Sequence, residues 1–142
     1  MKQFFVDIVA RDEQVYSGDA DYLSIRGLDG ILGIMADHAP MVGVFRPGIC
    51  VLRNGDENYE WAMSEGFVSV AGNRVTLAVA FAYTADEIDA SYAEDMLKKS
   101  RERLSDKRYA YSDLTGYEKI DMDFLNMLRA KAGLELVERH KS

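Results

Sequence analysis

Two histidines, His38 and His140, a single cysteine, Cys50, and 24 acidic residues are the groups from which this chain could assemble a reactive centre. None falls into a spacing that demands one. The histidines are far apart with no H-E-x-x-H pair, and one cysteine cannot build a thiolate zinc site. No G-x-x-x-x-G-K-[ST] phosphate loop and no G-x-S-x-G elbow occurs. Gly27, Gly30 and Gly33 repeat every three residues, but in a strand–turn–strand setting with no helix behind them. They read as turn glycines, because a phosphate cradle needs a helix N-terminus. His38, in His38-Ala39-Pro40, lacks a recognisable orienting partner and reads as a loop histidine bonded to backbone. The chain is therefore expected to be non-catalytic and to carry no metal or cofactor.

The charges carry more information. The run Lys98, Lys99, Arg101, Arg103, Lys107 and Arg108, set against Glu102 and Asp106, inverts the sign of a chain whose formal net charge is -7. It has two readings: a solvated helix end that complements its dipole, or a contact for an acidic protein surface. An excess of 24 acids over 17 bases argues against a general nucleic-acid binder, which needs a basic surface to release counterions. Cys50 alone allows no intrachain disulfide, which fits a reducing compartment. The first residues run straight into a strand-like segment with no presequence pattern. The most apolar stretch, Val75 to Tyr83, is far shorter than the roughly 20 residues that span a bilayer. Membrane association is expected only through a partner.

The elements that must position these groups come in two kinds. With 142 residues, 48% of them apolar, the chain has material for one domain, or a small domain with an appendage. Up to about Thr84 apolar residues alternate: Phe4, Val6, Ile8; Leu23, Ile25; Ile49, Val51; Tyr59, Trp61, Met63; Val75, Leu77, Val79. Period two means strands with one buried face. Ser17-Gly18, Gly27-Leu28-Asp29-Gly30, Pro47-Gly48, Asn54-Gly55 and Gly72-Asn73 punctuate them, and Asn-Gly is the strongest hairpin signal. Residues 1–84 are expected to form an all-β antiparallel sandwich.

After Thr84 the period becomes helical. Thr84-Ala85-Asp86-Glu87 reads as a capping box. Ala93, Leu97, Ser100 and Leu104 form a narrow apolar stripe flanked by Ile88, Tyr92 and Met96. A polar stretch from about Ser105 to Asp113 breaks it. A second helix, capped by Asp113 or Asp121, carries Tyr117, Ile120, Phe124, Leu128 and Leu136, and Gly133 weakens its last turns. Residues 85–142 are thus expected to form an antiparallel α-helical hairpin. Two narrow stripes bury little area by themselves. The hairpin is either a permanent cover on the sandwich or an element that opens at low free-energy cost.

Gly30-Ile31-Leu32-Gly33-Ile34, His38-Ala39-Pro40-Met41 and Pro47-Gly48, with Ser17-Gly18 before them and Ser64-Glu65-Gly66-Phe67 and Gly72-Asn73-Arg74-Val75-Thr76-Leu77 after, resemble the epsilon subunit family of bacterial F-type ATP synthases. The likeness spans essentially the whole chain. It implies a non-catalytic rotor subunit of the central stalk, at the cytoplasmic face of the bacterial cell membrane, that couples ion-driven rotation to ATP synthesis. It implies a sandwich bound to the gamma subunit and the ring of c subunits. By motif position, Arg26, Gly27, Leu28, Asp29, Gly30, Ile31, Leu32 and Gly33 face the ring, and His38, Met41, Val42, Gly43, Val44 and Phe45 face gamma. It further implies a hairpin that can fold against the sandwich or extend along gamma toward the alpha and beta subunits, the extended form blocking ATP hydrolysis through a basic face of Lys98, Lys99, Arg101, Arg103, Lys107 and Arg108.

Some family members bind ATP through an [IL]-D-x-x-R-A pattern in the first helix. Here Ile88, Asp89 and Ala93 match, but Tyr92 replaces the arginine, and Arg129 is the one clear interior arginine of the second helix. Tyrosine lacks the guanidinium fork for phosphate. ATP binding is expected to be weak or absent. The alternative reading is a stand-alone sandwich module or small enzyme with a helical lid, which would not co-purify with gamma.

Overall fold

The computed structural model describes residues 2–107 and 122–141. Among these, ten strands build two five-stranded sheets packed face to face. The first sheet runs β2 (Glu13–Ala20), β1 (Phe4–Ala10), β9 (Arg74–Val79), β8 (Gly66–Ala71), β5 (Met41–Phe45). The second runs β10 (Ala82–Tyr83), β7 (Glu57–Met63), β6 (Gly48–Asn54), β3 (Tyr22–Gly27), β4 (Gly30–Ile34). The pairings are antiparallel except β1 with β9, which run parallel and lay the first strand beside a late one.

The alternating residues fill the space between the sheets. Phe4, Val6, Ile8, Val75, Leu77 and Val79 come from one side, and Leu23, Ile25, Cys50, Leu52, Trp61 and Met63 from the other. In β6 the inward pair is Cys50 and Leu52, while Ile49 and Val51 face the opposite way. Tyr59 stacks on Trp61 with Tyr16 edge-on to both, closing one margin of the core.

Two turn assignments shift, while Gly72-Asn73 is a turn as expected. Ser17-Gly18 is not a strand end but lies inside β2, an edge strand whose polar sequence hides its period. Asn54 pairs with Glu57, so the β6–β7 loop is Gly55-Asp56, with only Gly55 at positive φ. The turn with two consecutive positive φ values is Gly72-Asn73, at 57° and 56°, between β8 and β9.

Two helices follow the strands. Thr84 and Glu87 do bond to each other, Glu87 Oε1 accepting from the Thr84 amide at 2.9 Å, but they close a 3-10 turn at Ala85–Glu87. The first helix, α1 (Ala90–Lys107), starts later and is capped by Asp89, whose Oδ1 accepts from the Tyr92 amide at 3.1 Å. It continues through Ser105 to Lys107, beyond the break expected from sequence. The second helix, α2, is described over Met122–Arg139 and runs uninterrupted through Gly133. Asp113, Tyr117, Ile120 and Asp121 lie outside the described residues, as does the side chain of Phe124. Gly133 sits against Ile88, where an added Cβ would lie 3.6 Å from Ile88 Cγ2. The later half of α2 thus meets the start of α1, as in an antiparallel hairpin.

The hairpin lies on the outer face of the second sheet. Ala132 and Leu136 of α2 pack on Ala62 of β7 with Ile49, Ala85 and Ile88 around them, forming a small cluster apart from the sandwich core. Leu52→Ala, inside that core, should lower stability by about 2–5 kcal/mol in urea unfolding followed by Trp61 fluorescence. Leu136→Ala, in the small cluster, should move the same transition by less than about 1 kcal/mol. Equal losses would mean that sandwich and hairpin unfold as one unit.

Candidate functional site

Backbone geometry first decides what one end of the sandwich displays. Gly27 pairs with Gly30 across the two-residue Leu28-Asp29 turn, and Gly30 takes φ +133°. A Cβ on Gly27 would come within 2.8 Å of the Gly30 carbonyl oxygen, so the turn closes only with glycine there. The turn pushes Leu28 and Ile31 outward, Ile31 being 73% exposed, while Leu32 turns back onto the core. Neighbouring β5 is the open edge of the first sheet and alternates in the same manner. Val42 (82% exposed) and Val44 face out, and Phe45 is buried. Val44 stands opposite Phe67 of β8, which is 64% exposed.

The residues expected to face the ring and those expected to face gamma therefore meet. Leu28, Ile31 and Leu32 line one cleft of about 460 Å³ with Met41, Gly43 and Val44. Leu28 and Val44 also share a cavity of about 720 Å³ with Phe67, rimmed by Leu125 and Leu128 of α2. Phe45 and Leu32 belong to the core rather than to the outer surface, and Phe67 is an exposed residue the sequence reading did not single out. His38 sits in the β4–β5 loop, its amide donating to the Met35 carbonyl at 3.3 Å and its Nδ1 lying 2.8 Å from the Ala39 carbonyl. An apolar surface of this kind, beside a sheet edge left open among the described residues, is a candidate interaction site.

The second constellation lies where hairpin meets sandwich. Ile88, Asp89, Tyr92, Ala93 and Arg129 all line one cavity of about 410 Å³. Two of them already have local duties. Asp89 caps α1. Arg129 donates from Nε and Nη2 to the two carboxylate oxygens of Glu65, at 3.0 and 2.7 Å, and its guanidinium lies over Phe81 at 5.4 Å. This bidentate pair is half-buried and joins α2 to the segment between β7 and β8. Glu87 adds a further carboxylate, and Arg129 is the only cation lining the cavity among the described residues. Its guanidinium is occupied, so the cavity offers poor terms to a polyphosphate. A second link sits at the end of α2, where Arg139 approaches Glu60 of β7 at 3.3 Å and His140 at 3.6 Å.

Lys98, Lys99, Arg101 and Arg103 are exposed on α1, with Lys99 paired to Asp95 one turn away at 2.9 Å. The Lys107 side chain and Arg108 lie outside the described residues.

Nothing in this arrangement resembles a reactive centre. Cys50 is buried between the sheets, and desolvation pushes its thiol well above the ordinary range, which leaves it an unreactive apolar filler. The hydrogen bond from Arg74, partly offset by desolvation, holds Asp7 below the usual carboxylate range, but that pair belongs to a strand surface. Among the described residues no group of three His, Cys, Asp or Glu side chains is placed to hold a metal ion.

Comparison with known proteins adds an independent line. Residues 3–85 match the ATP synthase, Delta/Epsilon chain, beta-sandwich domain family. The chain is 38% identical to the ATP synthase epsilon chain of Streptomyces avermitilis over 70% of its own length and 81% of that protein. It is 33% identical to the ATP synthase epsilon chain of Brevibacillus brevis, over 80% and 86%. A chain in the Euglena gracilis mitochondrial ATP synthase structure, OSCP/F1/c-ring in rotational state 1, superposes with a TM-score of 0.64 at 22% identity, covering 96% of this chain and 78% of that one. A chain of the Tetrahymena thermophila mitochondrial ATP synthase central stalk and c-ring gives 0.59 at 12% identity, covering 99% and 98%. The two structures share the fold.

Two outcomes follow from the geometry. Cys50 should resist alkylation by iodoacetamide at neutral pH until the protein is unfolded, and rapid labelling of the native protein would contradict its burial. Glu65→Gln or Arg129→Gln should each weaken docking of α2 by about 1–3 kcal/mol, read as faster proteolysis within the hairpin at unchanged Trp61 fluorescence. The charge-swapped pair Glu65→Arg with Arg129→Glu should recover part of the loss.

Proposed function

The chain belongs to the delta/epsilon chain family of ATP synthases, and we propose that it serves as the epsilon chain of a bacterial F-type enzyme, in the central stalk. It supplies surfaces and no reactive group. Residues 1–84 are the docking unit and residues 85–142 the regulatory one. The observation that carries this reading is the division of the sandwich's surface. The outer face of the second sheet is covered by α2, while Leu28 and Ile31 of the β3–β4 hairpin stay exposed beside Val42, Val44 and Phe67 of the first sheet.

In this reading Val42, Val44 and Phe67 seat against the gamma subunit, and the turn from Arg26 to Gly33 meets the ring of c subunits. The open edge of β5 adds backbone donors and acceptors. The subunit thereby sits peripherally at the cytoplasmic face of the cell membrane and takes part in ion transport only through its partners; among the described residues no helix is long and apolar enough to cross a membrane. The docked hairpin is the permissive form. Released, it reaches along gamma toward the alpha and beta subunits, where Lys98, Lys99, Arg101, Arg103, Lys107 and Arg108 meet acidic loops and brake ATP hydrolysis. The commitment of Arg129 to Glu65, and the tyrosine at position 92, leave the junction without ATP sensing.

Reconstituted complex lacking residues 84–142 should keep its gamma contact and hydrolyse ATP several-fold faster than the complex with the full chain. Equal rates would remove the brake from the account, and loss of the gamma contact would remove the docking role of the sandwich. Val42→Asp with Phe67→Asp should weaken gamma binding by about tenfold or more, since each buries a charge in an apolar contact. Isothermal titration of the isolated chain with ATP should show no tight binding; tight binding lost in Asp89→Ala would contradict the reading of the junction.

A further inference from the structure

On the flank of α2 opposite the Asp89 cavity, a cleft of about 200 Å³ opens between the helix, the outer face of the second sheet and the turn joining β5 to β6. Arg26 of β3, Arg46 of the turn, and Lys131 and Arg139 of α2 line it, with Glu135 the one acid among the lining residues. Arg139 is engaged with Glu60. Arg26, Arg46 and Lys131 form no ion pair with any described residue, so three uncompensated bases face one acid in a chain of formal net charge -7.

The cleft is shaped by backbone, not merely by long side chains. The Arg46 amide donates to the Arg26 carbonyl at 2.8 Å, which fixes the two arginines side by side. A Cβ on Gly48 would strike Arg26 Cβ at 2.6 Å, so the glycine is what lets the Arg26 side chain lie across β6. Ser24 also lines the cleft. It is only 7% exposed, and its hydroxyl makes no hydrogen bond to a described residue. Its oxygen still reaches solvent from the cleft, so the hydroxyl is free to bond to a group bound there.

We propose that this cleft binds a phosphate-type anion and that the bound anion fastens the hairpin to the sandwich. Guanidinium forks match a tetrahedral oxyanion, and the Ser24 hydroxyl adds a neutral donor. The volume is below the roughly 300 Å³ at which small-molecule pockets begin, which suits inorganic phosphate or one terminal phosphate group rather than a whole nucleotide. Arg26, Arg46 and Ser24 belong to the sandwich and Lys131 to α2. An anion touching both sets relieves their mutual repulsion, binds the docked form alone, and stabilises that form by mass action.

The anion has two sources, free phosphate or the headgroup of an acidic lipid, and two arms of one experiment separate them. In the first, the full chain labelled with nitrogen-15 is titrated with inorganic phosphate against chloride at constant ionic strength. Saturable shifts of the Gly48 and Lys131 amides are expected, with affinity reduced about tenfold or more in Arg26→Gln with Arg46→Gln. Phosphate should also slow proteolysis of the hairpin in the parent chain and not in Lys131→Ala. In the second arm, the chain is sedimented with phosphatidylcholine vesicles with and without phosphatidic acid. Binding only to the acidic vesicles, lost in the double-arginine variant, assigns the cleft to a lipid headgroup. No saturable response in either arm, or phosphate shifts centred on Tyr92 and Asn126 and indifferent to these substitutions, overturns the proposal. Unchanged Trp61 fluorescence in each variant confirms that the sandwich is intact.

Discussion

Strands β6 and β7 bury side chains on both of their faces. Cys50, Leu52, Trp61 and Met63 point into the sandwich core, and Ile49, Val51 and Ala62 point the other way, toward α2. A sheet with apolar residues on both sides cannot leave one side in water without losing the transfer free energy of that side. The outer layer is thin, however. Ala62 is small, and α2 answers with Ala132 and Leu136 over a short contact, while Gly133 leaves room for Ile88. The Arg129–Glu65 and Arg139–Glu60 pairs, one at each side of this contact, fix its register without adding much buried apolar area. An interface held by so few residues opens at lower free energy than the core beneath it.

The other sheet makes the opposite choice. Its outer face has no helix on it among the described residues, and its edge strand β5 is unpaired on one side. Val42, Val44 and Phe67 are exposed there, and the glycine-closed turn after β3 adds Leu28 and Ile31. Leu125 and Leu128 of α2 reach the rim of this surface. The exposed apolar surface and the side that carries the hairpin are therefore neighbours.

Much of this was legible in the sequence because period-two alternation reports which residues face a core. Phe4, Val6 and Ile8, or Val75, Leu77 and Val79, could be placed by inspection. Alternation does not report whether the outer face is covered, so Val51 and Ala62 gave no hint of α2. Strand β2 escaped because it is an edge strand with a glycine and few apolar residues. The Asn54-Gly55 signal was displaced by one residue because Asn54 is held in the ladder opposite Glu57. At the candidate sites the turn glycines were readable from their spacing. Phe67 was not, since an exposed aromatic in a strand looks like a core residue. Glu65 was not, since its partner Arg129 lies 64 residues away. The Asp89 motif was visible, but only the structure shows Asp89 spent on capping α1.

Native-state hydrogen exchange at rising urea tests the central claim, that the hairpin is a separable layer on a sandwich that stands without it. The α2 amides around Ala132 and Leu136 should exchange through an opening with lower free energy and smaller urea dependence than the opening that exposes the β1 and β9 amides. A single opening, with one free energy and one urea slope for both sets, would contradict the account.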